Sequence, residues 1–348
     1  MKKAELLKKV GSMQQVAHVR PIEFTEGRAK GISGYDVKNG DLRFQVFSDK
    51  CLDLGDFSYK GINLSFIAKQ GLIGRMDYDT HGIEGIRSLM GGMLFTCGLE
   101  NTCLPCEIDG KYYPMHGRLR STPAEHVRAN AEWVDDKYTL SMAGKMREAE
   151  LFGKNLTMSR TIETIYGEKS IRIIDQVTNA GFTPEPMMIL YHFNLGYPLL
   201  DEGALVILPT KGAVPRDKEA EKNQELWNRM EAPEIGAPER CYTHDLAADA
   251  DGNTFACLVN PELKLGVKIS FNKKHLPKFG QWKSIAASDY VMGLEPMNAG
   301  FFGRAAEGEN LHVMQPFATE INEFVLSIIE GDAEIAEVQK QAEQLITQ

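Results

Sequence analysis

Strand patterns fill the interior of this chain. Residues 42–47 alternate apolar and polar side chains, and residues 156–165 and 170–179 do the same on either side of a short turn at 166–169. A period of two is typical of a β-strand with one buried face, and two such runs joined by a short turn predict an antiparallel hairpin. A long series of strands with few helices favours a β-sandwich or a barrel.

Helical patterns occur only near the two ends. Residues 1–15 are expected to form a short amphipathic helix, because Leu6, Leu7 and Val10 fall on one side of it. Residues 331–348 are expected to form a second helix, since acidic side chains favour its first turn and apolar side chains follow at helical spacing. No internal repeat and no Gly/Ser linker interrupts the chain. We therefore expect residues 1–348 to form a single, mainly β domain with helical ends.

The charge and hydropathy of the chain limit the kinds of partner and the compartment that are expected for it. Its net charge of −9 repels phosphate backbones, so nucleic-acid binding is not expected. No apolar run approaches the ~18 residues of a membrane span, and no apolar stretch follows the charged N-terminus as in a secretory signal. Without export, the six cysteines are expected to be reduced thiols. These features predict a cytoplasmic protein, and a homodimer is the default assembly.

Three segments place titratable and amide side chains beside glycine and proline. They are 87–101 with 113–120, 190–198, and 281–283 with 293–298, and such turns and strand ends often display functional groups. Between them they contain these candidates for a site: Arg87, Asn101, His116, Arg118, His192, Asn194, Trp282, Lys283 and Glu295. No dinucleotide-binding or phosphate-loop motif is present, so no nucleotide cofactor is expected.

Glu295 and His192 suggest acid–base chemistry when they are taken together. Singly, each is about as well explained by structure, because a buried carboxylate must be paired or functional and a buried histidine is usually hydrogen-bonded. Together they could open a sugar ring, with one group taking the C1-hydroxyl proton and the other protonating the ring oxygen. Arginine and asparagine side chains would supply donors to the sugar hydroxyls, and Trp282 a flat apolar surface.

These residues resemble the aldose 1-epimerase (galactose mutarotase-like) superfamily, and most closely its divergent DUF4432 branch. The stretch 191–196 (YHFNLG) resembles the family segment whose histidine protonates the ring oxygen, which implies that role for His192. The stretch 294–298 (LEPMN) resembles the segment that carries the base, which implies Glu295. Gly91 and Gly92, followed by residues 114–120 (PMHGRLR), resemble a pattern of the hexose-6-phosphate branch.

The resemblance implies a fold, an activity and further site residues. The fold is a large, twisted β-sandwich of mostly antiparallel strands, and the activity is interconversion of sugar anomers without a cofactor. His116 becomes a second, substrate-binding histidine and Arg87 a hydroxyl-binding arginine. The family also grips sugar hydroxyls with an aspartate between the second histidine and the glutamate, for which Asp245 is a candidate. Lys283 has no clear counterpart and could meet a carboxylate or a phosphate, although a solvated surface lysine is the more ordinary interpretation.

Three alternatives compete with a sugar 1-epimerase. A zinc site at Cys103 and Cys106 has suitable spacing, but Pro105 lies between them and no second pair exists, so no metal is expected. A non-catalytic carbohydrate-binding protein would need the aromatic surface but no acid–base pair. An isomerase or epimerase acting at C2 could use the same two groups on an enediol. His81 is interpreted as a loop residue.

Overall fold

The computed structural model describes residues 3–74 and 82–347. His81 and the ends of the two predicted terminal helices, Met1, Lys2 and Gln348, lie outside the described residues. Among the described residues, no helix has both the length and the apolar character needed to cross a membrane.

The described part of the chain is built mainly from β-strands. The first eight are β1 (Ala17–Glu23), β2 (Ser33–Asn39), β3 (Leu42–Phe47), β4 (Asp53–Tyr59), β5 (Ile62–Asn63), β6 (Phe95–Leu99), β7 (Cys106–Ile108) and β8 (Lys111–Tyr113). The next eight are β9 (Glu125–Val134), β10 (Lys137–Ala149), β11 (Asn155–Ile165), β12 (Ser170–Asn179), β13 (Glu185–Pro186), β14 (Met188–Leu195), β15 (Leu205–Ile207) and β16 (Val214–Pro215). The last seven are β17 (Arg240–His244), β18 (Asn253–Asn260), β19 (Leu265–Asn272), β20 (Lys278–Ala286), β21 (Asp289–Met297), β22 (Val313–Met314) and β23 (Thr319–Glu330).

The α-helices of the described residues are few, and all but the last are short. They are α1 (Lys3–Leu7), α2 (Lys218–Glu221), α3 (Arg304–Glu307) and α4 (Asp332–Thr347). The first is shorter than the helix predicted over 1–15, because it ends at Leu7 and the chain turns at residues 8–9. The Ser12 side chain accepts a hydrogen bond from the Gln14 amide and starts a separate 3₁₀ turn, Met13–Gln15. The last agrees with the helix predicted over 331–348.

Three large sheets organise the strands. The first runs β1-β2-β3-β4-β5, the second β15-β18-β19-β23-β12-β11-β10-β9, and the third β16-β17-β20-β21-β14-β6. Two strand pairs, β7-β8 and β13-β22, are separate. The hairpin predicted around residues 166–169 is present as β11 and β12, which pair antiparallel. The fold is thus the mainly β, antiparallel sandwich that the sequence predicted.

The eight-stranded and six-stranded sheets pack face to face. Phe324 of β23 contacts Tyr191 and Phe193 of β14, with ring centroids 4.5 and 5.4 Å apart. Because side chains alternate along a strand, burying Tyr191 and Phe193 in this interface turns His192 and Asn194 to the other face of the six-stranded sheet. That outer face carries the candidate site.

Candidate functional site

A cavity of about 1110 Å³ opens on the outer face of the six-stranded sheet. Six of the residues predicted from the sequence line it: Arg87, His116, His192, Asn194, Trp282 and Glu295. They come from segments more than 200 positions apart in the sequence, and the order of the strands brings them together.

Strand pairing sets Glu295 beside His192. In the register of β14 and β21, Phe193 is opposite Leu294 and Leu190 is opposite Met297. The neighbouring residues, His192 and Glu295, therefore project from the same face. Gly293 leaves the space they occupy, since a Cβ there would lie 2.9 Å from Glu295 Oε1 and from His192 Cε1.

The carboxyl of Glu295 and the imidazole of His192 are in contact, but each keeps one polar atom without a hydrogen-bond partner among the described residues. His192 Nε2 lies 3.3 Å from Glu295 Oε1. The geometry is not that of an aligned hydrogen bond, because Glu295 Oε1 has no hydrogen-bond partner among the described residues; neither has His192 Nδ1. Buried polar atoms are rarely left so, and unpaired atoms at a cavity wall are free to meet a ligand.

Burial shifts both groups toward their neutral forms. It raises the pKa of Glu295 to about 8, and the negative charge of Glu239 adds to the effect. Burial lowers the pKa of His192 to about 4. Between these values the pair holds one acidic proton, on the carboxyl of Glu295.

His116 approaches the pair from the loop after β8. Its ring centroid lies 6.0 Å from that of His192 and 6.1 Å from that of Phe95. Burial, with the nearby His192, holds the pKa of His116 well below its usual range, and its Nδ1 has no partner among the described residues. A neutral histidine with an open ring nitrogen can exchange hydrogen bonds with a hydroxyl group.

Trp282 and Asn194 complete this wall of the cavity. The indole of Trp282 meets the His192 ring edge-to-face at 5.4 Å. The Asn194 amide donates to the carbonyl oxygens of Gly92 (3.0 Å) and His192 (2.9 Å), so its amide nitrogen is used to hold the strand. Arg87 belongs to a 3₁₀ helix, Gly82–Ser88, at another part of the wall.

Two cavity residues, Arg216 and Glu239, were missed by reasoning from the sequence. Trp282 Nε1 donates to Glu239 Oε2 at 2.8 Å, and Arg216 Nη2 lies 3.0 Å from Glu239 Oε1. The two contacts hold a half-exposed carboxylate against the cavity. Both residues lie in charged stretches near turns, and no local pattern distinguishes them from ordinary surface charges.

Two predicted residues lie near the site but outside the cavity wall. The Asn101 amide donates to the carbonyl oxygens of Leu104 and Pro114, both at 2.9 Å, and its Oδ1 accepts from the Arg304 amide at 2.8 Å. Asn101 thus braces the loop that carries His116. The guanidinium of Arg118 pairs with the buried carboxylate of Glu100.

Lys283 and Asp245 face away from the cavity. Lys283 follows Trp282 on β20 and so points to the opposite face, where its Nζ donates to the carbonyl oxygens of Leu226 and Arg229, both at 2.6 Å. The side chain of Asp245 is 98% exposed and pairs with Lys273. The structure therefore does not bring either side chain to the sugar site that the sequence suggested.

Thiols also contribute to the cavity wall, at Cys103 and Cys241. Burial raises the pKa of both, so they are neutral thiols at physiological pH. Among the residues 3–74 and 82–347, no group of three or more histidine, cysteine or acidic side chains is arranged to hold a metal ion.

A family model and several solved structures match this chain. The model for a domain of unknown function, DUF4432, matches residues 29–328. No curated protein matches the sequence. A Klebsiella pneumoniae structure, described as a candidate aldose 1-epimerase, superposes with a TM-score of 0.91 at 21% identity, covering 99% of this chain and 91% of that one.

More distant structures share the fold. A galactose mutarotase-like protein from Clostridium acetobutylicum has a TM-score of 0.60 at 11% identity, over 91% of this chain and 99% of that one. The galactose 1-epimerase from Lactobacillus acidophilus has a TM-score of 0.58 at 12% identity, over 90% and 99%. At these identities the likeness establishes the galactose mutarotase-like fold and no more.

Proposed function

This chain belongs to the DUF4432 family, and from that premise we propose that it is a sugar 1-epimerase that uses Glu295 and His192 as an acid–base pair. The observation that carries the proposal is the contact between a buried carboxyl and a buried imidazole at 3.3 Å on a cavity wall, with Glu295 Oε1 and His192 Nδ1 lacking partners among the described residues. A purely structural pair would be expected to satisfy these atoms within the protein.

The protonation state of the pair suits this reaction. With Glu295 near a pKa of about 8 and His192 near about 4, the pair carries one acidic proton at neutral pH. Moving that proton from Glu295 to His192 creates a carboxylate base and an imidazolium acid, without any exchange with solvent. Both arrangements contain the same number of protons, so a polar substrate can select the ionic one.

The reaction then follows in balanced steps. Glu295 takes the proton of the C1 hydroxyl while His192 delivers a proton to the ring oxygen, and the bond between C1 and the ring oxygen breaks. The open-chain aldehyde turns about its C1–C2 bond. Ring closure reverses both proton transfers: the hydroxyl on C5 returns its proton to His192, and the new C1 hydroxyl receives one from Glu295. The pair ends as it began.

Other residues of the wall hold the sugar. His116 offers a neutral ring nitrogen to a hydroxyl, and Trp282 offers an apolar surface to the C–H face of the ring. Glu239, fixed by Trp282 and Arg216, takes the hydroxyl-gripping role that the family gives to an aspartate. Arg87 is proposed as a further hydroxyl donor on the same cavity.

The proposal has a direct test in anomer exchange measured by NMR. The α and β forms of a panel of aldoses are followed with wild-type protein, with Glu295→Gln and with His192→Asn. We expect exchange above the uncatalysed rate for at least one sugar, and loss of exchange in both variants while sugar binding is kept. Asp245→Asn is the matched control, since that carboxylate lies away from the cavity.

Two outcomes would contradict the proposal. Sugar binding with no exchange in the wild type would identify a carbohydrate-binding protein instead. Uptake of solvent deuterium at C2 would identify an enediol mechanism, because ring opening moves only hydroxyl protons. A pH profile adds a further check: activity should be highest between about 4 and about 8, where the pair holds one acidic proton.

We also propose that the protein works in the cytoplasm. All six cysteines are free thiols, and five of them are buried. Free thiols in this number are typical of a reducing compartment.

A further inference from the structure

Four large apolar side chains project into solvent at one end of the eight-stranded sheet. Together they form what we call the phenylalanine patch, with exposed fractions of 85% for Leu151, 101% for Phe152, 85% for Phe182 and 61% for Phe317. None of the four lines the cavity described above. The patch is therefore separate from the candidate site.

The order of the strands brings these residues together. The strands β23, β12, β11 and β10 are consecutive neighbours, and the loops that carry the patch lie where these strands end. The amide of Ala180 donates to the carbonyl of Asn155, and the amide of Phe317 donates to the carbonyl of Asn179, both at 2.8 Å. The rings of Phe182 and Phe317 meet edge to face, with centroids 5.1 Å apart. The patch is thus formed by three adjoining loops at a single end of the sheet.

Two of the phenylalanines occupy turn positions that favour glycine or asparagine. The β-turns 150–153 and 315–318 are each closed by a hydrogen bond from the amide of the fourth residue to the carbonyl of the first, at 3.1 Å in both. Phe152 and Phe317 are the third residues of these turns, with φ of 60° and 61°. The left-handed region is unfavourable for bulky side chains, and an exposed aromatic ring is unfavourable in water. A combination of this kind persists where other interactions compensate for it.

The patch is large enough to form most of a protein interface. A phenylalanine side chain can bury roughly 150–250 Å², so the three exposed rings present on the order of 500 Å² of apolar surface. A stable interface of standard size buries about 800 Å² on each partner. The patch supplies more than half of that area, and the polar atoms of its loops would form the rim.

The charges of these loops favour a second copy of this chain as the partner. The only ionisable side chains in residues 150–154, 180–184 and 315–318 are Glu150 and Lys154. Both are paired within their own chain, Glu150 with Lys111 at 2.8 Å and Lys154 with Glu148 at 3.3 Å. The loops therefore lack the excess of basic side chains that attracts a protein to an anionic lipid surface. An apolar surface without net charge is complementary to itself, as a twofold interface requires.

We propose that the phenylalanine patch is the contact surface of a homodimer, in which two copies pack these loops against each other about a twofold axis. Burial of the rings then compensates for the backbone strain at Phe152 and Phe317. The proposal is independent of the acid–base pair, because it concerns a different surface of the molecule.

Sedimentation velocity over a range of protein concentrations tests the proposal. We expect the wild type to be mainly dimeric at roughly 10 µM, which requires a Kd at or below about 1 µM. Phe152→Asn and Phe317→Asn should each raise this Kd by roughly thirtyfold or more, as expected for the loss of an aromatic anchor. Asparagine tolerates the left-handed region better than phenylalanine, so neither variant should lower the melting temperature of protein diluted below the Kd.

Two further variants separate the patch from general effects of exposed apolar side chains. Ile235→Asn is the matched control, because Ile235 is 92% exposed and lies outside the three loops. It should leave the Kd unchanged. Phe182→Ala removes a ring of the patch from a residue without a positive φ, so it should weaken the dimer without altering either turn.

Three results would overturn the proposal. The first is a wild type that stays monomeric up to about 100 µM. The second is a dimer whose Kd is the same in the wild type and in all three patch variants. The third is a monomer that binds phosphatidylcholine vesicles, with or without phosphatidylserine, and loses this binding in Phe152→Asn, because the patch would then contact lipid. None of these measurements needs anomer exchange, so they test the dimer separately from the 1-epimerase.

Discussion

Two of the buried clusters of ionisable side chains among the described residues differ in whether their polar atoms are satisfied. In the core, Arg160 donates to Asp175 at 2.6 and 2.8 Å and to Asp53 at 2.7 Å. At the cavity, Glu295 and His192 touch at 3.3 Å but keep Glu295 Oε1 and His192 Nδ1 without partners among the described residues.

The two clusters also differ in charge state. Burial raises the pKa of Asp53 to about 6, where the positive charge of Arg160 and hydrogen bonds from Thr96 oppose it. Burial raises the pKa of Glu295 to about 8, where the adjacent charge of Glu239 adds to it. Asp53 is therefore mostly ionised at neutral pH and Glu295 mostly protonated. A cluster whose polar atoms are all hydrogen-bonded stabilises the fold. A cluster with unpaired polar atoms and a transferable proton is suited to acid–base catalysis.

Removing the carboxyl at the cavity should affect catalysis most. Glu295→Gln keeps the shape of the side chain but cannot exchange a proton with a sugar, so anomer exchange should fall by roughly 10²–10⁴-fold. The melting temperature at pH 7 should rise rather than fall, because folding at this pH must protonate Glu295, which is ionised in the unfolded chain, whereas glutamine needs no proton. NMR exchange and thermal melts measure the two effects. A variant that keeps its activity, or loses its fold, would remove the distinction between the clusters.

Breaking the core cluster should affect stability most. Arg160→Met leaves the buried carboxyls of Asp53 and Asp175 without their shared cation, which should cost about 3–5 kcal/mol of the free energy of unfolding. Urea denaturation measures the loss. Arg172→Met is the control, since the exposed pair of Arg172 with Glu323 should contribute less than about 1 kcal/mol. Equal losses in the two variants would contradict the structural role of the core cluster.

The pH dependence of stability should separate Glu295 from its neighbours. Its folded pKa of about 8 lies above the ordinary glutamate pKa of 4.5, so its contribution to stability is full at low pH and is lost as the pH rises from about 4.5 through about 8. The lowered pKa of His192 acts in the opposite direction, but only between about 4 and 6.5.

Above pH 6.5 the shift of His192 no longer contributes, and shared groups such as Glu148, whose pKa burial raises to about 7, cancel when the wild type is compared with Glu295→Gln. From there to about pH 8 the wild type should lose roughly 1 kcal/mol per pH unit relative to Glu295→Gln. Urea titrations of both proteins across this range measure the difference. Parallel curves would mean that Glu295 is ionised in the folded protein at neutral pH.

The smallest effect is expected at the half-exposed carboxylate of the cavity. Glu239→Gln removes the charge that faces Arg216 and keeps a side chain of similar size near Trp282. We expect kcat/KM for the best sugar to fall roughly tenfold, about 1.4 kcal/mol. Asp245→Asn should change it by less than about 0.5 kcal/mol, because its side chain is 98% exposed and outside the cavity. The reverse order would return the hydroxyl-gripping role to Asp245.

Much of the fold was predictable because its signal is local. The period of two along β11 and β12 identified the strands and their hairpin. The same period predicts that His192 and Asn194 lie on one face of their strand, and that Trp282 and Lys283 lie on opposite faces of theirs. Applied to that second pair, it would have excluded Lys283 from a site that includes Trp282.

The composition of the site was only partly predictable. The stretches around His192 and Glu295 resembled a known family closely enough to be singled out. Arg216 and Glu239 had no such signal, and Asp245 was named because the family residue is an aspartate between the second histidine and the glutamate. Choosing between exposed carboxylates requires knowing which one faces the cavity, and that is a property of the sheet.

The sequence by itself determined which residues form strands, which side chains share a face, and which segments could carry acid–base chemistry. Only the tertiary structure decided that β14, β20 and β21 are neighbours, that Glu295 lies 3.3 Å from His192, and that Glu239 faces the cavity. The reason is physical. Alternation depends on the geometry of a single strand, whereas the order of strands depends on hydrogen bonds between residues about a hundred positions apart, such as Phe193 and Leu294.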